Sequence, residues 1–284
     1  MQKRVIFLQD FFIEDFLGGA ELHDDVVIKH LDKIGILYAK KKNSDLTAEY
    51  IHKHKDKVWF ISNFSTLKPE IMGLLMRDCK YLIYEHDYKF IDTRNPINFK
   101  DFVVPEKRKI NINFYNLAHK VICLSKMHRE IFEKNMNLLN LENINCSMWS
   151  DQQLELFTSL LGTQKKAKFA VINSQNKIKK TKESVEFCRR KGLDFDLISS
   201  SRYEDFIGQL AQYSGLVFMT GHPEPTPRVA IEAKMLGCKF IAQKDLIGVA
   251  HEDYFSLTGS DMIDKVRSLR DEALTKIEGW INEV

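Results

Sequence analysis

The sequence predicts an α/β protein of two Rossmann-like domains, each built on a parallel sheet, and three observations support that class. Apolar runs of four or five residues, rich in Val, Ile, Phe and Tyr, alternate with amphipathic stretches of ten to fifteen, the pattern of doubly covered strands joined by crossover helices. The alternation occurs twice, on either side of an Asn-rich, poorly periodic segment. A chain of 284 residues with 44% hydrophobic content also suffices for two cores, since compact domains usually hold about 100–200 residues.

In chain order, strands are expected at Val5–Leu8, Gly35–Tyr38, Val58–Ile61, Tyr81–Tyr84 and Val121–Leu124, then at Phe169–Ile172, Phe195–Ile198, Leu216–Met219 and Lys239–Ala242. The segment Asn137–Gln153 is read as the linker, which gives domains 1–150 and 151–284, two similar halves around a cleft. Asp92–Lys109, with Pro96 and Pro105 and no period, reads as a long loop. Asp261–Val284 has a helical pattern and is expected to pack back on the first domain.

Composition excludes some classes. A charged fraction of 29% and a net charge of +3 fall short of the basic face of a dedicated duplex binder. The clusters Lys40–Lys42, Lys53–Lys57 and Lys107–Lys109 offer an anionic acceptor a surface, or are simply solvated. Five widely spaced cysteines without a C-x-x-C pair read as reduced core thiols rather than a zinc site. The first apolar run spans four residues before Gln9 and Asp10, too short for a signal peptide, and no stretch approaches the roughly 20 residues of a membrane span. A cytoplasmic location is expected.

The strongest chemical signal is Thr220–Cys238, TGHPEPTPRVAIEAKMLGC, directly after the strand Leu216–Met219. Thr226 suits an N-cap and Pro227 the first helical position, so a helix is expected from there to the stop at Gly237. Glu224 then lies in the loop and Glu232 on the second turn. The helix N-terminus offers unpaired N–H groups to a phosphate, and a glutamate one turn further on is placed to accept from a ribose diol. Arg228 in the first turn opposes the helix dipole, which is sensible where an anion binds; the alternative is a solvated arginine.

These residues resemble the E-x7-E motif of the family-four retaining glycosyltransferases of GT-B fold. The resemblance implies that Glu224 faces the donor sugar and Glu232 holds the nucleotide ribose. Thr226 and Pro227 stand where the family has an aromatic-Gly pair. In FAVINSQNKIKKTKESVEFC, Phe169–Cys188, the family's diphosphate-gripping Arg is replaced by Ser174 or Gln175, and Lys179-Lys180 stand near its Lys-Gly site. Lys179 is the expected grip, because a departing nucleoside diphosphate builds charge that a fixed cation stabilises; a basic solvated loop is the alternative.

Three landmarks in the first half occur in the family's order. In FLGGAEL, Phe16–Leu22, Gly18 and Gly19 allow close backbone approach to a phosphate or sugar, or form a structural turn; the string is no dinucleotide fingerprint. In YEHDYK, Tyr84–Lys89, Glu85, His86 and Asp87 are expected at the carboxyl edge of the first sheet, where the resemblance implies that His86 touches sugar or acceptor. Ser125 lines the cleft or caps a helix. Asp194-Phe195-Asp196 spells a D-x-D metal motif but begins a strand after Lys191-Gly192, so no metal role is assigned.

The implied reaction is metal-independent transfer of a sugar, with retention, from a nucleoside diphosphate sugar to an acceptor hydroxyl on a polysaccharide, a lipopolysaccharide or a modified DNA base. No cofactor beyond that co-substrate is expected. A catalytically inactive nucleotide-sugar-binding module and a sugar-nucleotide epimerase are the alternatives.

Overall fold

A computed structural model describes residues 4–284. The chain divides into two compact units: one runs up to Met148 and takes in Arg270–Val284, the other is Trp149–Leu269.

The first unit contains β1 (Val5–Gln9), α1 (Gly19–Lys33), β2 (Leu37–Lys42), α2 (Ala48–Lys53), β3 (Val58–Ile61), α3 (Pro69–Asp78), β4 (Lys80–Tyr84), α4 (Ile112–Leu117), β5 (Val121–Cys123), α5 (Lys126–Asn135) and β6 (Leu141–Asn143). Its six strands pair in the order β2-β1-β3-β4-β5-β6, parallel throughout. Every residue of β1 and β3 is buried, as expected of strands covered on both faces. The chain leaves β1 in one direction to β2 and in the other to β3, so the switch point of this sheet lies between the carboxyl ends of β1 and β3.

The second unit contains α6 (Asp151–Leu160), β7 (Lys166–Ile172), α7 (Thr181–Lys191), β8 (Phe195–Ile198), α8 (Tyr203–Ala211), β9 (Tyr213–Phe218), α9 (Arg228–Met235) and β10 (Lys239–Ala242). Its sheet, also parallel, runs β10-β9-β7-β8, with its switch point between β7 and β9. Helices α7 and α9 end as the sequence indicates, at Gly192 and Gly237, with φ of 62° and 69°. Helix α10 (Gly259–Asn282) begins in the second unit and from Arg270 on belongs to the first, where Glu278 Oε1 lies 2.6 Å from His30 Nε2.

Several expected boundaries move. Gly35 has φ 75° and sits in the turn before β2, so Lys40–Lys42 lie in a strand rather than beyond one. The Asn-rich segment contains β6 and the start of α6, where Ser150 and Gln153 form a reciprocal capping box. Its pattern is weak because β6 is three residues long and at the sheet edge. The Asp92–Lys109 loop holds short 3₁₀ turns at Pro96–Asn98, Lys100–Phe102 and Glu106–Arg108. Asn135 fastens it by accepting from the Val104 N–H and donating to Phe102 O, at 2.7 and 2.8 Å.

Candidate functional site

In the second unit the site grows from the loops that follow β7 and β9. Lys179 ends a short 3₁₀ turn after β7, and its Nζ lies 2.9 Å from Glu224 Oε1 and over the ring of Phe218. Glu224 is held by its backbone: its N–H donates to Leu246 O and its C=O accepts from Gly248 N–H, both at 2.8 Å. The Gly221 N–H donates to Ile178 O at 2.9 Å, tying the two loops, and a Cβ on Gly221 would meet Lys180 Cε at 2.8 Å. Two residues given separate roles, sugar and diphosphate, thus form one ion pair at the switch point. Lys180 itself has φ 45° and pairs with Glu183. Ser174 Oγ accepts from the Asn176 N–H, a local turn.

Helix α9 starts one residue later than expected. Pro227 is its N-cap, with ψ 113° and no side-chain cap, so Thr226, although buried, does not cap it; helical ψ begins only at Arg228. Glu232 falls on the second turn and is buried at 3% exposure. Its Oε1 accepts from Tyr203 OH at 2.7 Å and Trp149 Nε1 at 3.2 Å, with Arg228 Nε at 3.4 Å, while no protein group hydrogen-bonds its Oε2 among the described residues. Arg228 is not solvated: it is buried and stacks on Trp149, its guanidinium 4.4 Å from the ring centre. Burial, with the Glu232 charge next, pushes the Tyr203 phenol far above its ordinary range. Sequence reasoning missed Trp149 and Tyr203, which lie 83 and 29 residues from Glu232 with no periodic signal to connect them.

In the first unit, Gly18 is the N-cap of α1, and a Cβ there would sit 2.3 Å from Glu21 Oε2 and 2.6 Å from the Phe16 ring, so a larger residue requires those two side chains to move. Gly19 opens the helix. Its N-terminus is covered by Glu21, which accepts from its own N–H; burial raises that carboxyl. One turn on, Asp24, fully buried, accepts from Ser62 Oγ and lies 2.7 Å from His86 Nε2. Burial, the largest single influence, disfavours the His86 imidazolium, but the charge and the hydrogen bond of Asp24, with the Glu21 charge added, together outweigh it and the pKa rises. Sequence reasoning missed Asp24, although Glu21, Asp24, Ile28 and Leu31 share one buried face of α1 at helical spacing.

The neighbours of His86 depart from the expected acceptor role. Glu85 is fully buried: Oε1 accepts from Lys89 Nζ and from the His86 and Asp87 N–H groups, and Oε2 from Tyr115 OH. Asp87 binds Lys89 and Arg94; burial opposes its charge, but the two cations hold its carboxyl well below the usual range. Ser125 is buried and caps α5 by accepting from the His128 N–H. The side chains of these three are thus engaged by neighbouring groups of the first unit. The lysine clusters are partly neutralised locally, as in Lys40–Glu14, Lys42–Asp15 and Lys57–Asp56. In the D-x-D string, Asp196 pairs with Lys168 at 2.9 Å and accepts from Tyr213. Among the described residues no cluster of three His, Cys, Asp or Glu is placed to hold a metal, and no helix is long and apolar enough to cross a membrane.

No family model matches the chain, and no curated protein matches it. Solved structures do. HepE from Anabaena in complex with UDP and glucose is similar over 100% of both chains, at 12% identity and a TM-score of 0.58. A sucrose-phosphate synthase from Thermosynechococcus elongatus is similar over 99% of both chains, at 9% identity and a TM-score of 0.65. An alpha-glucosyltransferase in complex with UDP and a 13-mer DNA containing a HMU base is similar over 99% of this chain and 95% of its own, at 8% identity and a TM-score of 0.52. A UDP-N-acetylglucosamine 2-epimerase from Rickettsia bellii shares the architecture over 100% and 98%, at 10% identity and a TM-score of 0.53. With two parallel α/β units and these neighbours, the chain has the GT-B fold.

Proposed function

We propose that the protein is a metal-independent retaining glycosyltransferase that moves a sugar from a nucleoside diphosphate sugar to an acceptor hydroxyl. The observation that carries this reading is the Lys179–Glu224 pair at the switch point of the second sheet, beside the start of the helix that bears Arg228 and Glu232. Lys179 exchanges Glu224 for the donor's diphosphate and stabilises the charge that grows as it leaves. Glu224, freed from its partner, orients the sugar. The open Oε2 of Glu232 accepts from the ribose, with Trp149, Tyr203 and Arg228 fixing the carboxylate. Leaving phosphate oxygen takes the acceptor proton, so no separate general base is assigned. Retention rests on the E-x7-E resemblance, and metal independence on the cation that Lys179 supplies.

The UDP and glucose held by HepE make UDP-glucose the first donor to try. The test is a donor screen for nucleoside diphosphate release with wild type, Lys179→Ala and Glu224→Ala. Lys179→Ala is expected to weaken donor binding about 10–100-fold, and Glu224→Ala to lower kcat about 100-fold or more. Binding without turnover identifies an inactive module, and a changed nucleotide sugar without acceptor an epimerase. Unchanged turnover in both variants overturns the site. For the acceptor we favour a glycan hydroxyl; transfer to hydroxymethylated DNA with a steep loss at rising salt would favour the DNA base instead.

A further inference from the structure

A group of buried polar side chains collects where the first sheet reverses direction. Ser62 follows β3 immediately, His86 follows β4 after one residue, and Asp24 comes from the second turn of the helix after β1. Asp24 Oδ2 accepts from Ser62 Oγ and Oδ1 faces His86 Nε2 at 2.7 Å, with Asp24 and Ser62 wholly buried and the His86 side chain at 9% exposure. A carboxylate acceptor requires that Nε2 carry the proton. No protein group hydrogen-bonds Nδ1 among the described residues, and that atom is not sealed from solvent. Edge-on rings of His23 and Tyr84, with centroids 5.1 and 5.3 Å away, leave the imidazole little freedom to turn.

We propose that Asp24 is a positioning residue: with Ser62 it holds the Nε2–H of His86 and makes Nδ1–H of the imidazolium the donor that meets the sugar or acceptor oxygen. This rests on the glycosyltransferase reading for the identity of that oxygen, not for the Asp24–His86 coupling. The charged and titratable groups around the ring are Asp24, Glu21 and His23 from α1, Tyr84 from β4, and Lys89 and His128 beyond it. Asp24 and Glu21 favour the imidazolium, whereas burial and Lys89 oppose it. Removing the Asp24 charge therefore lowers the pH at which the Nδ1 proton is lost.

The imidazole nitrogens of His86 are followed by ¹⁵N NMR against pH in wild type, Asp24→Asn and the control Asp25→Asn, without ligand. Above its midpoint wild-type His86 is expected as the Nε2–H tautomer, and Asp24→Asn is expected to lower the midpoint by about one unit while Asp25→Asn leaves it in place. The wild-type tautomer is read without any variant, so a poorly folded Asp24→Asn does not hide the answer. An Nδ1–H tautomer, or equal midpoints in wild type and Asp24→Asn, overturns the coupling. With a donor in hand, the alkaline limb of kcat is expected to move down by the same unit in Asp24→Asn with donor KM unchanged. An unmoved limb overturns the catalytic half, and a wild type that turns over no donor overturns the glycosyltransferase reading together with that half.

Discussion

The two sheet edges use charge in opposite ways. In the first unit, Glu85, Asp87 and Lys89 form a network in which the lysine is 2% exposed and Glu85 fully enclosed. In the second, Lys179 and Glu224 pair at 31% and 17% side-chain exposure. A buried pair leaves a large uncompensated charge when one member goes, whereas a partly exposed pair is more readily replaced by water or a ligand. The first edge thus spends its ions on holding the chain in place after β4, and the second keeps a pair that is open to exchange with solvent or a ligand.

That contrast is broken or sharpened by four substitutions. Lys89→Met leaves the enclosed Glu85 without its cation and Asp87 with Arg94 alone, and is expected to cost about 3–5 kcal/mol in urea unfolding; a loss below about 1 kcal/mol would show that the first network is no more structural than the second. His128 comes next. Its neutral ring donates from Nε2 to Asp87 O at 2.7 Å and accepts at Nδ1 from the Leu124 N–H at 3.2 Å, and burial lowers its pKa to about 3. Protons then bind the unfolded chain first as pH falls below its ordinary value near 6.5, so stability present above that pH is lost between about 6.5 and 3, by at most a few kcal/mol. His128→Gln should flatten that part of the stability–pH curve relative to wild type, and an unchanged slope would refute it.

Within the second unit, Tyr203→Phe removes the 2.7 Å hydrogen bond to Glu232. A loss of about 1.5–3 kcal/mol is expected, with weaker donor binding in calorimetry, as befits a bond to a buried carboxylate. The smallest effect belongs to Lys179→Ala, expected to change thermal stability by no more than about 1 kcal/mol even where donor binding falls. A stability loss matching that of Lys89→Met would erase the distinction between the two edges.

Much of the fold was legible in the chain. Eight of the nine expected strands overlap observed strands to within a few residues, most of them buried parallel strands that read as short apolar runs. Gly35–Tyr38 overlaps β2 only at its last two residues, because an edge strand that alternates exposure and ends in lysines has no such run. β6 escaped notice for a similar reason. Among site residues, the loop position of Glu224 and the helical position of Glu232 followed from the prolines and the glycine stop around them. The inward turn of Glu85 did not, since YEHDYK reads alike whether its first acid meets water or Lys89.

What the sequence determined by itself is therefore local: where strands lie, where helices stop, and which loops bear acids and lysines, because period and backbone preference act over a few residues. Only the tertiary structure decided which charges meet. Lys179 and Glu224 are 45 residues apart, Asp24 and His86 62, and Trp149 and Glu232 83. The first two pairs exist because a parallel sheet brings the ends of non-consecutive strands to one edge, and the third because packing sets the segment before α6 against α9; burial then makes an ion keep a partner.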